Sequence, residues 1–475
     1  MARKPSHRLV AVVLAAGHGR RIKSRLPKVL QPLCGRPVLW HALEAVRALR
    51  ASSVLVVIRE RGNRVEEAVR SWGLRASIDF VEQRQPLGTG HAVMAVEEAV
   101  ADADEVVVVN GDEPLVTGAD LRGLVGLRRR RKAAAAVHTT IPDDARGFAR
   151  VIREGDELVR LAEGSDATVE ERAITEVAAG AYAFRREDLY RALPRVSRDN
   201  RQREYYLPDV LGILREKGER LVVQRVDLGG AVGVNSRSEL ARAAAVMRRR
   251  INEGLLAGGV TLTDPDQVYI DVGVRVGADT TILPQTFLEG DTRIGEGCTI
   301  GPGCRIEDSR IGDDVTIEVS VVRGARIGPR AMVGPFAHLR PGTVLGADTK
   351  AGSFVEIKAS RIGDGTKVPH LAYVGDATIG RNSNIGAGTV TVNYDGYGKY
   401  RTTIGDDVRV GSDTMLVAPV KVGRGAVTGA GSVITKDVPA GALAVERAEQ
   451  RVVPGYRERK DREMRRRGKT RKGKT

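Results

Sequence analysis

Small residues and two cations follow the first apolar run of the chain in an order that suits phosphate binding. Residues 14–17 read Leu-Ala-Ala-Gly, and Arg21 and Lys28 come shortly after them. Small residues let backbone N–H groups approach a phosphate, and a helix that begins there adds positive potential. Arg21 and Lys28 would neutralise a triphosphate during group transfer. A Gly-rich turn alone is a weak signal, and the order of strand, loop and cations is stronger.

A second candidate lies at the end of the valine run 106–109, which is followed by Asn110, Gly111 and Asp112. A carboxylate that faces a triphosphate is a natural ligand for Mg²⁺. This ion prefers one or two protein oxygens, together with phosphate oxygens and water. The alternative is that Asp112 only caps the strand.

A third candidate is His370, which lies in the main interruption of a six-residue repeat described below, with Arg340, Lys358, Tyr373 and Asn384 expected in neighbouring coils of that repeat. Cations beside a polar pocket suit a sugar phosphate, and histidine titrates in the range that suits a general base. A lone histidine is more often a surface or packing residue. The functional interpretation therefore depends on these neighbours.

The elements that must position the first two candidates alternate between strands and helices. Residues 9–14, 54–58 and 106–109 are apolar runs typical of strands buried on both faces, and the patterns at 37–50 and 89–100 are helical. This alternation predicts a Rossmann-like α/β domain with a mostly parallel sheet over residues 1–235. Its ligand crevice should lie at the carboxyl ends of the strands.

From about residue 257 the pattern changes to one aliphatic residue in every six. The in-phase positions form three series, which are Val276, Ile282, Leu288, Ile294, Ile300 and Ile306; Ile327, Val333, Leu339, Leu345, Ala351 and Ile357; and Ile404, Val410, Leu416, Val422, Thr428 and Ile434. Such hexapeptide repeats predict a left-handed parallel β-helix, here over residues 257–456. Residues 358–371 and 393–401 interrupt the period, and segments that leave a solenoid often carry function.

The two domains are joined by a predicted linker helix at 236–256, and residues 457–475 form a basic tail. This tail holds eleven Lys and Arg against three acidic residues, which is half of the net charge of +16. Its composition predicts a disordered, solvated segment. A contact of this tail with nucleic acid or with a membrane surface is the less favoured alternative.

Three cysteines and the absence of a long apolar run indicate a cytoplasmic protein. Cys34, Cys298 and Cys304 are an odd number without CxxC spacing, which favours reduced thiols. No apolar run approaches the roughly 18 residues that a membrane span needs. Basic residues before the run 9–16 mimic a signal peptide, but the run is short and is followed by Gly-His-Gly-Arg-Arg, so we expect a first strand.

Together these motifs resemble the family of bifunctional N-acetylglucosamine-1-phosphate uridylyltransferase/glucosamine-1-phosphate N-acetyltransferases. The resemblance covers nearly the whole chain except the basic tail. It implies acetyl transfer from acetyl-CoA to glucosamine-1-phosphate, followed by transfer of UMP from UTP to N-acetylglucosamine-1-phosphate. The products would be pyrophosphate and UDP-N-acetylglucosamine for cell-wall precursor synthesis. It also implies Mg²⁺ as cofactor and a homotrimer formed through the β-helix.

The resemblance assigns roles residue by residue. Uridine nucleotide and sugar would be bound by Leu14, Ala15, Ala16, Gly17, Arg21, Lys28, Gln83, Gly88, Thr89, Asn110, Gly111, Asp112, Ala149, Glu163, Ala178 and Asn235. Among these, Asp112 and Asn235 would hold Mg²⁺. His370 would be the general base, with the acceptor held by Arg340, Lys358, Tyr373 and Asn384. Acetyl-CoA would be bound by Ala387, Asn393, Tyr394, Ser412, Ala430 and Arg447, and Lys399 could add a phosphate contact.

Three positions depart from the family pattern in the N-terminal half. The family usually has Gly at Ala149, Asn at Ala178 and Thr at Arg20. Loss of one amide that bonds a sugar hydroxyl would cost about 1–3 kcal/mol if its partner stays unpaired. We therefore expect an intact nucleotide half and an altered sugar half.

Two other hypotheses remain. One is an active acetyltransferase whose N-terminal domain is weakened or uses another sugar-1-phosphate. The other is a β-helix of a different class, either a metal enzyme of the carbonic-anhydrase kind or a scaffold. The metal enzyme would need three histidine ligands, and within the predicted β-helix His338 and His370 have no third histidine beside them. A scaffold would leave the loop residues unexplained.

Overall fold

The structure is a computed structural model that describes residues 7–17, 19–59, 64–74, 77–145, 148–162, 167–200, 203–230 and 233–466, without the side chain of Arg20. The chain divides into two compact units. The first comprises residues 1–278 and 282–292, and the second comprises 279–281 and 293–475. The domain boundaries drawn from the sequence remain predictions.

The first unit is an α/β domain followed by a long helix. Its strands are β1 (Leu9–Leu14), β2 (Pro32–Leu33), β3 (Arg36–Pro37), β4 (Ser53–Ile58), β5 (Ile78–Glu82), β6 (Glu105–Asn110), β7 (Ala135–Thr140), β8 (Arg150–Glu154), β9 (Glu157–Ala162), β10 (Val177–Arg185) and β11 (Leu221–Arg225). Its helices are α1 (Val38–Arg47), α2 (Arg64–Ser71), α3 (Thr89–Met94), α4 (Gly118–Arg131), α5 (Val169–Arg172), α6 (Arg186–Ala192), α7 (Asp209–Glu216) and α8 (Arg237–Ala257). Short 3₁₀ turns lie at Arg20–Ile22, Lys28–Leu30, Glu98–Val100, Leu193–Arg195 and Pro265–Gln267.

Nine strands form one sheet in the order β5-β4-β1-β6-β10-β7-β11-β9-β8. The strands β5, β4, β1 and β6 are parallel, as predicted for the nucleotide-binding part. In contrast, β10 runs antiparallel to both β6 and β7. Alternate residues of β1 pack into separate cores on the two faces of the sheet. Burial on both faces explains why the strand reads as a continuous apolar run.

Helix α8 begins at a capping box that also fixes the residue before it. The Ser236 hydroxyl accepts from the backbone N–H of Glu239, and the Glu239 carboxylate accepts from the N–H of Ser236 and Asn235. This reciprocal arrangement satisfies N–H groups that a helix start leaves free. It holds Asn235 at the start of the helix.

The short strands of the β-helix begin within the first unit, at Thr261–Leu262, Val268–Ile270, Arg275–Val276 and Thr286–Glu289. The strand Thr281–Ile282 has one residue in each unit.

Residues 293–444 of the second unit form three parallel sheets. Sheet one contains Thr299–Ile300, Thr316–Ile317, Met332–Val333, Lys350–Ser353, Lys367–His370, Asn384–Ile385, Arg409–Val410, Val427–Thr428 and Leu443–Ala444. Sheet two contains Arg305–Glu307, Val321–Arg323, His338–Leu339, Glu356–Lys358, Tyr373–Gly375, Val390–Val392, Met415–Val417 and Val433–Ile434. Sheet three contains Arg293–Ile294, Arg310–Ile311, Arg326–Ile327, Val344–Leu345, Arg361–Ile362, Ala377–Ile379, Thr402–Ile404 and Val420–Val422.

The residues of the three six-residue series are buried except for Val276, which is half-buried. The left-handed parallel β-helix predicted from them is therefore the fold of this part of the chain. The expected break at 358–371 is not a break, because the strands Arg361–Ile362 and Lys367–His370 continue the coil. One side of this coil is a residue shorter, so the buried Ile357 and Ile362 are five positions apart. The segment 393–401 does leave the coil, and a bridge between Tyr394 and Lys399 closes it.

After the coils, α9 (Tyr456–Arg466) is a helix without buried residues. It lies in the tail for which the composition predicts disorder, and residues 467–475 are outside the described part. Among the described helices, none combines the length and apolar character of a membrane span.

Candidate functional site

A cleft of about 490 Å³ lies at the carboxyl ends of β1 and β6. Nine residues predicted to bind nucleotide or sugar line it, namely Leu14, Ala16, Gly17, Lys28, Gln83, Gly88, Thr89, Asn110 and Asp112. The crevice thus lies where parallel strands place ligands. Pro86, Ala92 and Glu204 complete the lining. Sequence reasoning missed these three, and only Pro86 and Ala92 lie near predicted residues in the chain.

The loop after β1 packs closely on Lys28. A Cβ at Gly17 would lie 3.2 Å from Lys28 Cε, and one at Gly19 would lie 2.7 Å from Lys28 Cβ. Gly19 also has a left-handed backbone with φ of 59°, which glycine adopts without steric cost. These small residues therefore allow the lysine stem to cross the loop and reach the cleft.

The Lys28 ammonium brings two distant oxygens together. It forms an ion pair with Asp112 Oδ2 and donates to Asn235 Oδ1 at 3.0 Å. A carboxylate and an amide oxygen that converge on one cation form a donor set that Mg²⁺ accepts. Within the described ranges, no cluster of three or more His, Cys, Asp or Glu side chains could hold a metal. An ion held here would therefore also depend on phosphate oxygens and water.

The opposite side of the cleft is formed by the turn before α3. Gln83 is buried, and its Nε2 donates to the Gly88 carbonyl at 2.9 Å. Gly88 has φ of 103°, and a Cβ there would lie 2.5 Å from the Tyr205 carbonyl oxygen. Thr89 Oγ1 accepts from the N–H of Leu207 at 3.0 Å. These contacts tie the turn to the segment that contributes Glu204.

Glu113 is a buried acid that sequence reasoning missed, although it directly follows Asp112. Both of its oxygens accept from the Gly180 N–H, at 2.8 and 2.9 Å, and Oε1 also accepts from Asn110 Nδ2 at 3.1 Å. Burial, followed by the nearby charge of Asp112, raises the pKa of Glu113 to about 8. This carboxyl links the end of β6 to β10.

The two alanines of the predicted sugar half lie side by side. Val177 of β10 pairs antiparallel with Arg150 of β8, and this register places Ala178 opposite Ala149. Both alanines are half-buried. Glu163, the third residue assigned to the sugar, lies outside the described residues.

Other predicted residues shape the cleft without lining it or lie away from it. Ala15 is buried, and its N–H donates to the Val57 carbonyl. The Gly111 N–H donates to the Leu14 carbonyl at 2.9 Å. Arg21 is exposed in a 3₁₀ turn and is not part of the cleft lining.

In the second unit, most predicted acceptor residues lie on sheet two. Arg340 pairs with Glu356 at 2.7 Å, and the strand register places Glu356 beside Tyr373. Lys358 lies 3.4 Å from Asp376, which also accepts from Asn393 Nδ2. Asp376 is therefore a further site residue, and its place three positions after Tyr373 was the available signal in the sequence.

Lys399, for which a phosphate contact is expected, lies in the loop that leaves the coil. Lys399 lies beside Lys358, and this contact together with the positive charge lowers the pKa of Lys399. Two ammonium groups held side by side create a position that favours an anion. Tyr394 lies in the same loop, where its hydroxyl donates to the Gly396 carbonyl at 2.8 Å.

His370 lies at the end of a sheet-one strand, one corner away from this cluster, and it is exposed. Its strand pairs with that of Asn384 through Lys367. The structure thus places His370 and Asn384 on one face of the coil, and Arg340, Lys358 and Tyr373 on the next.

Four of the six predicted acetyl-CoA residues form a column over successive coils. The Asp413 N–H donates to the Ala387 carbonyl at 2.7 Å, and the Gly431 N–H donates to the Ser412 carbonyl at 2.8 Å. Arg447 Nη1 donates to the Ala430 carbonyl at 3.2 Å. Ala387, Ser412, Ala430 and Arg447 are therefore aligned along the coil axis.

Comparison with known proteins agrees with both halves. Residues 11–207 match the MobA-like NTP transferase domain, and residues 273–308 and 401–436 match the bacterial transferase hexapeptide family.

Relatives that match over most of the chain are named as bifunctional proteins, as the following two examples show. The bifunctional protein GlmU of Heliobacterium modesticaldum is 48% identical over 96% of this chain and 99% of its own length. The GlmU protein of Mycobacterium tuberculosis strain CDC 1551 is 47% identical over 94% of this chain and 92% of its own length. The chain belongs to the family of bifunctional GlmU proteins.

Proposed function

We propose that the chain acetylates glucosamine-1-phosphate from acetyl-CoA and then transfers UMP from UTP to N-acetylglucosamine-1-phosphate. The observation that carries this proposal is that one chain combines a cleft in an α/β nucleotidyltransferase domain with a β-helix of hexapeptide repeats and aligns with a bifunctional relative over 96% of its length. The product, UDP-N-acetylglucosamine, would serve cell-wall precursor synthesis. We place the reactions in the cytoplasm, in keeping with the three unpaired cysteines.

In the acetyl transfer, Arg340 and Lys358 would hold the phosphate of the acceptor. The acceptor amine attacks the thioester carbonyl carbon, the carbon–sulfur bond breaks, and coenzyme A leaves as a thiolate. His370 would take the proton that the nitrogen loses and return it to the sulfur. Lys399 would add to the positive potential at the phosphate, while Tyr373 and Asn384 would orient the sugar.

The predicted acetyl-CoA residues have two positions around this site. Ala387, Ser412, Ala430 and Arg447 form the column along which the extended cofactor would lie. Asn393 and Tyr394 stand at the base of the loop beside it.

In the uridylyl transfer, a phosphate oxygen of the sugar phosphate attacks the α-phosphorus of UTP. The bond from this phosphorus to the bridging oxygen breaks, and pyrophosphate leaves. Residues 14–17 would approach the nucleotide through their backbone, and Gln83, Gly88 and Thr89 would contact it from the other side. Lys28 would neutralise the charge that develops on the phosphates.

Asp112 and Asn235 would hold Mg²⁺ in this half of the protein. Their convergence on the Lys28 ammonium supports this assignment. When bound, the ion supplies charge neutralisation to the triphosphate.

We further propose a homotrimer that forms through the β-helix. Phe336, Phe354 and Leu371 form an apolar column on adjacent coils and are 55%, 59% and 63% exposed. The two phenylalanine rings stack with centroids 5.1 Å apart. An exposed apolar column beside His370 suits a contact with a second copy of the chain and closed cyclic symmetry.

The direct test is an assay of the purified full chain with each pair of substrates. Thiol release from acetyl-CoA should require glucosamine-1-phosphate, and pyrophosphate release from UTP should require N-acetylglucosamine-1-phosphate. Thiol release combined with pyrophosphate release on a different sugar-1-phosphate only would support the alternative function instead. No observation so far favours that alternative.

A further inference from the structure

A hydrogen bond outside the cleft joins the segment that carries Lys28 to the start of α8, beside Asn235. Arg237 Nη1 donates to Gln31 Oε1 at 3.0 Å, across 206 positions of the chain. Gln31 follows Lys28 shortly in the sequence, and Arg237 closely follows Asn235. The contact between Lys28 and Asn235 is thus accompanied by a second contact between the same two segments.

Gln31 organises the segment on both sides of Lys28. It is 2% exposed. Its Nε2 donates to Ser24 Oγ at 3.1 Å and to the Leu26 carbonyl at 3.0 Å, and its N–H donates to the Lys28 carbonyl at 3.2 Å. A buried amide needs partners at both its donor end and its acceptor end. Arg237 supplies the partner that Oε1 requires.

The properties of α8 itself do not explain an arginine at this position. Arg237 is the first residue of the helix, where the helix dipole disfavours a cation. The capping box of Ser236 and Glu239 already satisfies N–H groups at the helix start. Arg237 is also exposed, so it does not fill a core. Its contact with Gln31 is therefore the structural role that remains.

The helix start transmits this contact to the cleft. The Glu239 carboxylate accepts from the N–H groups of Asn235 and Ser236, at 2.7 and 2.8 Å, which fixes Asn235 relative to Arg237. A shift at the arginine would therefore change the separation of Asn235 Oδ1 and Lys28 Nζ, which is 3.0 Å. Misplacement of a positioned group by about 1 Å can slow a reaction about 100-fold.

We propose that Gln31 and Arg237 are positioning residues for uridylyl transfer, which hold Lys28 and Asn235 at the separation that the triphosphate and its metal ion require. This inference rests on the proposed uridylyl transfer. Neither Gln31 nor Arg237 belongs to the cleft lining found in the described part of the chain. They would act on the reaction only through the two segments that they join.

The test uses the full chain, with initial rates of pyrophosphate release and with ligand binding in the absence of turnover. Arg237→Met keeps a long side chain but removes the donor. It should lower kcat about 10-fold and raise the dissociation constant of UTP with Mg²⁺ about 5-fold. Uridine, which carries no phosphate, should bind as it does to the unsubstituted chain. The KM for N-acetylglucosamine-1-phosphate should change less than about twofold.

Further variants separate positioning from a merely structural role. Arg237→Lys keeps a donor and should recover part of the kcat. Gln31→Leu combined with Arg237→Met should be no slower than Gln31→Leu alone, because the two changes remove one contact. Arg242→Met changes an exposed arginine of the same helix and should leave every constant unchanged. Because Arg237 is exposed, its variants should stay folded even if Gln31→Leu does not.

Two measurements distinguish this inference from the proposed function. Turnover of N-acetylglucosamine-1-phosphate by the unsubstituted chain tests the proposed function, whereas UTP binding tests the inference without turnover. Acetyl transfer should be unchanged in every variant. Unchanged kcat and UTP binding in Arg237→Met, equal weakening of uridine and UTP binding, or additive effects in the double variant would overturn the inference.

Discussion

At the scale of single residues, His370 is of a residue type suited to a general base. Within the described residues of a single chain, no side chain forms a hydrogen bond that would orient its imidazole ring. Replacement by alanine should lower acetyl transfer about 10²-fold or more, because a positioned base contributes on that scale. Thiol release from acetyl-CoA measures the effect. Uridylyl transfer by the same variant serves as the control and should be normal. Acetylation near the unsubstituted rate would remove His370 from the reaction.

Asp112 gives a second prediction at this scale. Asp112→Ala should abolish most pyrophosphate release from UTP, as a chelator should, because one of the two proposed protein ligands is lost. Acetyl transfer should resist both treatments, since it handles no triphosphate. Asp79, an exposed acid on β5, provides the matched control as Asp79→Ala. Normal uridylyl transfer in Asp112→Ala would show that the metal is held elsewhere.

At the scale of elements, β7 contains a histidine that should make the sheet sensitive to acid. His138 is 0% exposed, its Nε2 contacts the Asp120 carbonyl at 3.2 Å, and its Nδ1 has no partner in the described residues. Burial lowers the pKa of His138 from 6.5 to about 4. The unfolded chain therefore binds this proton first, and stability is lost as the pH falls from about 6.5 toward 4.

The expected loss at pH 5 relative to pH 7 is about 2 kcal/mol from this group alone. Urea unfolding of the unsubstituted chain and of His138→Gln at both pH values measures it. The variant should lose less stability between pH 7 and pH 5 than the natural chain, whatever its stability at pH 7. Equal losses in both proteins would show that His138 titrates normally.

In the coils, a change of spacing by a single residue made the prediction of a break in the β-helix wrong. A strict six-residue count predicts a break after Ile357, but the next buried aliphatic residue, Ile362, is only one position early. The hydrogen-bonded ladder continues because Arg361 and Ile362 pair with Val344 and Leu345 of the preceding coil. Stacking of coils, rather than exact spacing, decides where the solenoid continues.

At the scale of the whole molecule, the oligomeric state is open to direct test. The full chain should sediment as a trimer of the 51.1 kDa subunit. Phe336→Asp combined with Phe354→Asp should give smaller species, because charges replace the exposed apolar column. Aspartate already occupies the same left-handed conformation at Asp348 and Asp413, so the coils should stay folded.

Activity of that double variant gives the second readout. Acetyl transfer should fall if the site is completed by a neighbouring copy, whereas uridylyl transfer should stay normal. A stable monomer of the unsubstituted chain that acetylates at full rate would contradict the proposed trimer.

From the sequence alone we could predict two kinds of feature, namely repeats of short period and motifs whose residues lie close together in the chain. The strand, loop and cation order led to residues 14–17 and Lys28, and the hexads predicted the β-helix. These patterns are readable because backbone geometry imposes its period on neighbouring residues.

Only the tertiary structure decided which distant residues meet. Asn235 reaches Lys28 from 207 positions away, and Glu113 binds the Gly180 N–H across 67 positions. Glu204 joins the cleft from a segment with no motif of its own. These long-range contacts depend on the order of strands in the sheet and on the irregularity in the pairing of β10 with β7. The residue pattern of one strand does not specify which other strand will lie beside that strand.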